Sequence, residues 1–69
     1  MTKNANAAPI LRLKGLRAER LLTQEKLAEI LGISKATYNR KENGIGQFEN
    51  KEIQKLLLLF EVKYEELFC

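Results

Sequence analysis

The chain has 69 residues, of which 45% are hydrophobic and 30% are charged, and its formal net charge is +3. This length allows one small domain, and the composition favours a packed core over a disordered chain. The chain contains no histidine, and its only cysteine is Cys69, which excludes structural zinc and internal disulfides. We therefore expect no metal and no cofactor, and no enzyme, because paired carboxylates and an activated nucleophile are also missing from the pattern.

The first eight residues, MTKNANAA, are small and polar. They lack the apolar centre of a secretory signal, and no apolar run in the chain approaches the roughly 20 residues that span a bilayer. We expect a flexible arm over residues 1–8, a domain over residues 9–69 and a cytoplasmic location. The basic balance favours a polyanionic partner, although many small soluble domains are equally basic.

The pattern over residues 10–22 predicts a first helix, because Leu13 and Leu16 recur at helical spacing. Thr23 then offers a side-chain oxygen to the free amides at the start of a second helix. Gly32 should end that helix, since glycine adopts positive φ without strain.

A third helix is predicted over Lys35–Glu42, with Ser34 as its N-cap. Asn43 and Gly44 should end it. The second and third helices therefore meet across a short turn that contains a glycine.

A fourth helix begins after a loop at residues 45–48, with either Glu49 or Asn50 as its cap. Its apolar residues follow the i, i+3, i+4, i+7 pattern at Ile53, Leu56, Leu57 and Phe60. A short fifth helix is predicted over residues 64–68. The fold class is thus all-α with five helices and no strand.

A helix, a short turn with glycine and a second crossing helix together indicate a helix-turn-helix. Ala28 suits the close crossing because it is small, and Gly32 suits the turn. Each residue also has an ordinary explanation, since alanine is a good helix former and glycine a common C-cap.

Residues 22–44, LTQEKLAEILGISKATYNRKENG, resemble the Cro/repressor-type (XRE-family) helix-turn-helix of bacterial and phage transcriptional regulators. The similarity continues on both sides of this segment, where the sequence is similar to a branch of short phage-like regulators. It implies a compact five-helix repressor-like domain that binds double-stranded DNA in a sequence-specific way and regulates transcription.

The resemblance also implies roles for particular residues. Arg17 and Glu42 match positions that form a mostly buried salt bridge, and Gln24 and Asn43 match positions that hold DNA phosphates. Arg17 follows Leu16 at the inner edge of the first helix, where an unpaired charge would be unfavourable. A solvated surface arginine is the alternative.

The third helix has Tyr38 on its buried side, which turns the opposite face outward. We expect this outer face to read bases through Lys35, Ala36, Asn39 and Arg40. Arg40 can pair with guanine, and Ala36 can contact a thymine methyl or simply allow close approach. Thr37 either reads a base edge or bonds its own backbone.

Two residues depart from the broad family pattern: Tyr38 replaces a common aliphatic residue, and Lys41 replaces a common aromatic one. Phe48 is expected to fill the space that the missing aromatic leaves, or to staple the fourth helix. In either case Phe48 belongs to the core.

The fourth helix carries leucines beyond those its inner face needs, and these suggest a dimer. We expect an interface through Leu58, Leu59 and Phe68, which would let a homodimer read a palindromic operator. Scattered exposed leucines are the competing explanation. The alternative function is a protein-interaction module, like an antirepressor or antitoxin, that uses the same fold.

Overall fold

The computed structural model describes residues 8–68, which fold into five α-helices. These are α1 (Leu11–Glu19), α2 (Gln24–Leu31), α3 (Lys35–Glu42), α4 (Asn50–Phe60) and α5 (Tyr64–Phe68). No strand occurs in this part of the chain, which confirms the predicted all-α class. Of these five helices, none has the length and apolarity that crossing a membrane requires.

Side-chain oxygens fix the starts of α2 and α3, as the sequence predicts. Thr23 Oγ1 accepts a hydrogen bond from the backbone N–H of Lys26 at 3.0 Å. Ser34 Oγ accepts one from the backbone N–H of Thr37 at 3.0 Å. Each contact satisfies a donor that the first helical turn leaves without a partner.

Glu49 is the N-cap of α4, which decides between the two alternatives from the sequence. Its backbone N–H donates to Glu52 Oε1 at 2.9 Å, and Asn50 becomes the first helical residue. The side chain of Glu52, at position N3 of the helix, thus accepts from the backbone N–H of the cap residue.

The predicted extent of the first helix, to Leu22, is wrong. α1 ends at Glu19, because Leu21 adopts a left-handed φ of 56° and the N–H of Leu22 turns back to the Arg17 carbonyl at 2.9 Å. Leu22 then packs against the core. Periodicity missed this end because a leucine occupies the left-handed position that glycine usually takes.

The turn between α2 and α3 consists of residues 32–34. Gly32 has a φ of 75°, and the N–H of Ile33 donates to the Ala28 carbonyl at 3.0 Å. Ala28 is buried. The structure therefore has the close helix-turn-helix crossing that the sequence predicts.

One central residue from each helix is almost completely buried. These residues are Leu13, Leu27, Tyr38, Leu56 and Leu67. Phe48 joins them from the loop before α4, with its ring centroid 5.9 Å from that of Tyr38 and 6.3 Å from that of Phe68. Phe48 is thus a core residue, as expected.

The segment before α1 lies across the end of α3. The N–H of Ile10 donates to the Glu42 carbonyl at 2.9 Å. Gly44 has a φ of 85°, and a Cβ atom there would collide with the backbone of Ala8. The rest of the predicted N-terminal arm, residues 1–7, lies outside the described residues, as does Cys69.

Replacing Glu61 with glycine is expected to raise the free energy of unfolding by about 1 kcal/mol. Glu61 follows α4 with a left-handed φ of 56°, and its carboxylate lies at the negative end of the helix dipole. Urea unfolding at neutral pH measures the change. Glu61→Ala is the control, because it removes the charge and keeps the strained backbone. Equal stability of the two variants would contradict the role of backbone strain.

Candidate nucleic-acid interface

The outer face of α3 is open to solvent. Its exposed residues are Lys35, Ala36, Asn39 and Arg40. Tyr38, on the opposite face, has no accessible surface. The helix therefore places the four expected base-reading side chains on one accessible face.

Thr37 is half-buried at the start of this helix. Its Oγ1 accepts a hydrogen bond from the Ser34 hydroxyl at 2.8 Å, while its backbone N–H donates to Ser34 Oγ. The Thr37 hydroxyl thus pairs with the N-cap residue and not with its own backbone. The hydroxyl accepts in this contact and keeps its own O–H donor, so a role for Thr37 in reading bases stays a prediction.

Glu42 carries a carboxylate with no accessible surface. Arg17 approaches it with two nitrogens, Nε at 2.8 Å from Oε2 and Nη2 at 3.2 Å from Oε1. Gln24 Nε2 donates to Oε1 at 2.8 Å, and the Tyr38 hydroxyl donates to Oε2 at 2.8 Å. Both oxygens therefore have two donors each, which is the condition for burying a charge.

Two opposing effects act on the pKa of Glu42. Burial favours the neutral acid and would raise the pKa, whereas hydrogen bonds from Arg17, Gln24 and Tyr38 favour the carboxylate. The hydrogen bonds outweigh burial, so the pKa of Glu42 lies below its ordinary value. Burial, together with the hydrogen bond to Glu42, raises the pKa of Tyr38, which keeps that hydroxyl a donor.

Arg17 spans the gap between α1 and the start of α2. In addition to its contacts with Glu42, its Nη1 donates to the Leu22 carbonyl at 3.0 Å. The hydrogen bond with Glu42 raises the pKa of Arg17 against the effect of burial. The arginine therefore stays charged and fixes the residue that leads into α2.

The two expected phosphate contacts lie at the ends of α2 and α3. Gln24, the first residue of α2, donates to Glu42 and accepts a hydrogen bond from Asn39 Nδ2 at 3.0 Å. Asn43 follows α3, and its Nδ2 donates to the Asn39 carbonyl at 2.8 Å. Both amide side chains are thus held by the protein in fixed orientations.

A second buried ion pair was not predicted from the sequence. Lys41 Nζ lies 2.8 Å from Glu52 Oε1, and these side chains are only 14% and 3% exposed. The Lys41 ammonium also lies 5.9 Å from the centre of the Phe48 ring. Desolvation opposes the charge of Glu52, but hydrogen bonds from Lys41 and from the Glu49 backbone lower its pKa.

The role of Tyr38 as a donor to Glu42 was also missed, although a signal existed. The two residues are four apart on α3, a spacing that brings helical side chains together. No comparable signal links Lys41 with Glu52, because the two residues lie on different helices. The capping role of Glu52 was equally hard to foresee, since Glu49, the N-cap residue whose N–H it binds, is not a common capping residue.

The residues expected at a dimer interface have different environments. Leu58 is 79% exposed, whereas Leu59 is half-buried against the core. The Phe68 ring packs against Phe48 and lies 4.9 Å from the Tyr64 ring centroid. Only Leu58 among the three is left largely without contacts on the surface of the described chain.

Comparison with protein families finds a match to the helix-turn-helix family HTH_3, of the Cro/C1 type, over residues 13–67. The matched region extends from α1 into α5 and includes all the side chains that donate to the Glu42 carboxylate. Neither the curated proteins nor the solved structures gave a match.

The free energy of unfolding is expected to fall as the pH drops below about 4.5, the ordinary glutamate value. The folded-state pKa of Glu42 is lower than that in the unfolded chain, so its charge stabilises the fold above both values. As the pH falls from the unfolded-state pKa towards the folded-state pKa, residue 42 gains its proton first in the unfolded chain, and the stabilisation is progressively lost. Urea unfolding at stepped acidic pH measures the effect.

Glu42→Gln is the matched control, since it keeps the shape and removes the titrating group. It should lower the free energy of unfolding at neutral pH by about 3–5 kcal/mol, because Arg17 loses its charged partner. The acid-dependent loss should then be smaller than in the wild type. An equal loss in both proteins would contradict a lowered pKa at Glu42.

Proposed function

Because the chain belongs to the HTH_3 family of helix-turn-helix DNA-binding domains, we propose that it is a sequence-specific transcriptional regulator of the repressor type. Domains of this family are not enzymes. In this proposal α3 enters the major groove of double-stranded DNA, and two copies bind a palindromic operator. Such a repressor would act on phage or mobile-element genes, in the cytoplasm.

One observation carries the proposal: α3 bears a buried, fully hydrogen-bonded carboxylate, that of Glu42, and its opposite face is open. The four donors to Glu42 come from α1, α2 and α3. This motif places its recognition helix in the major groove, so one side of the helix must be accessible. α3 is held by these hydrogen bonds on one side and is exposed on the other.

The charges on this face favour DNA as its partner. Within residues 8–68, neither Lys35 nor Arg40 takes part in a salt bridge, whereas Lys41 on the inner side is paired. The outer cations are therefore available to bases and phosphates. Arg40 has the fork of donors that pairs with O6 and N7 of guanine, and Lys35 reaches from the first turn of α3.

The start of α2 supplies a second contact in this proposal. Free backbone amides at a helix N-terminus attract an anion. Gln24 is located there, and one hydrogen of its Nε2 remains after the bond to Glu42. We assign Gln24 to a phosphate, and Asn43 to another at the end of α3.

A homodimer would place two copies of α3 one duplex turn apart, about 34 Å, on a palindrome. Leu58 supports this proposal, because an apolar side chain that is 79% exposed gains by being covered. Leu59 and Phe68 would flank this contact while keeping their packing against the core.

Arg40→Ala is expected to remove the preference at one base pair, whereas Gln24→Ala should weaken binding to all sequences alike. The first variant loses a contact with a base edge, worth about 1–3 kcal/mol of discrimination, and the second loses a phosphate contact. Titration of labelled duplexes at two salt concentrations measures both, and wild-type affinity should fall steeply with salt. An unchanged sequence preference in Arg40→Ala would place the recognition surface elsewhere.

Leu58→Lys is expected to reduce dimer formation and to weaken binding to a palindrome, with little effect on binding to a single half-site. A charged side chain opposes burial at a symmetric contact, where it meets its own copy. Analytical ultracentrifugation with and without operator measures assembly. Lys51→Leu, at another exposed position of α4, is the control. Unchanged assembly in Leu58→Lys would contradict an interface at this residue.

A further inference from the structure

Two amide side chains join α2 and α3 on the side that would face DNA. Asn39 Nδ2 donates to Gln24 Oε1 at 3.0 Å, and Gln24 Nε2 donates to Glu42 Oε1 at 2.8 Å. Glu42 in turn binds Arg17 in the interior. A continuous chain of hydrogen bonds therefore runs from the exposed face of α3 into the core, with Gln24 at its centre.

These contacts fix the orientation of the Gln24 amide. If the group turned over, its oxygen would face the Glu42 carboxylate and its NH₂ group would face the Asn39 donor. Both contacts would become repulsive. Glu42 and Asn39 together thus select one orientation of the amide. The remaining Nε2 hydrogen of Gln24 is then held at the N-terminus of α2, where an anion is favoured.

The same geometry limits what Asn39 can do at a base. Asparagine reads adenine by applying its amide nitrogen and oxygen together to the base edge. In this structure the nitrogen of Asn39 points to Gln24. The second Nδ2 hydrogen and Oδ1 of Asn39 remain, but the bond to Gln24 sets the plane in which they lie. Turning the amide out of that plane to meet a base edge would leave Gln24 Oε1 without its donor.

We propose that Asn39 is a positioning residue, which acts through Gln24 to hold the phosphate contact, in place of the base-reading role that its exposure on α3 suggests. This inference rests on the proposed DNA-binding function and divides the outer face of α3 into two parts. Lys35 and Arg40 address bases, whereas Asn39 fixes the amide that addresses the backbone. The sequence preference of the protein should therefore be independent of Asn39.

A double-mutant cycle in DNA binding tests this role, with Asn39→Ala, Gln24→Ala and the double variant. Asn39→Ala should weaken binding about 2- to 10-fold on every duplex, which corresponds to one hydrogen bond, and should leave the base preference unchanged. The double variant should bind no more weakly than Gln24→Ala alone, because Asn39 acts only through Gln24. Fluorescence anisotropy with a selected operator and a random-sequence duplex measures all four proteins.

Arg40→Ala combined with Gln24→Ala is the matched control cycle. Arg40 is a neighbouring exposed residue on α3, and its effect should multiply with that of Gln24→Ala because the two contact DNA separately. Asn39→Ala should also shift the side-chain NH₂ signals of Gln24 in an NMR spectrum of the free protein. Circular dichroism confirms that each variant is folded.

Two results would overturn the inference while leaving the proposed function intact. In the first, the double variant loses affinity by the product of the losses in Asn39→Ala and Gln24→Ala. In the second, Asn39→Ala changes the preference at a single base pair. If wild-type protein binds duplexes without sequence preference, the proposed specificity fails, and the cycle on random DNA still decides the role of Asn39. If wild-type protein binds no duplex, both proposals are overturned.

Discussion

The negative charge of Glu42 has no contact with solvent, and the arrangement of the first three helices follows from the need to compensate it. Donors must come from several directions, and α1, α2 and α3 each supply at least one, through Arg17, Gln24 and Tyr38. A buried ion pair adds little net stability over well-packed apolar residues, but removing one partner is strongly destabilising. We attribute to Glu42 chiefly the fixed orientation of α3, and with it the open face that the proposed function requires.

Further contacts restrain the end of α3. Lys41, next to Glu42, pairs with Glu52 and so connects α3 to the first turn of α4. The segment before α1 covers the same end, through the bond from the Ile10 N–H to the Glu42 carbonyl. These contacts hold the inner face of α3 against its neighbours, whereas within residues 8–68 the outer cations Lys35 and Arg40 form no salt bridge.

Much of the fold follows from the sequence because its signals are local. The caps at Thr23 and Ser34 and the left-handed Gly32 each depend on residues a few positions apart, and the structure contains all of them. The sequence pattern places the end of α1 too late, because Leu21 takes a backbone conformation that leucine rarely adopts. Lys41 and Glu52 could not be paired in advance, since their meeting depends on how α3 packs against α4. The hydrogen bond between Gln24 and Asn39 is not predictable from local sequence either, because it depends on how α2 packs against α3.

In the proposed function, the outer face of α3 reads a DNA sequence from a position fixed by the buried carboxylate. Selection of binding sites from a random duplex library by the purified protein tests it most directly. We expect enrichment of a two-fold symmetric sequence whose half-sites are one duplex turn apart, with at least one guanine that the wild type requires and Arg40→Ala does not. Recovery of DNA with no common sequence, or an unaltered consensus in Arg40→Ala, would contradict it.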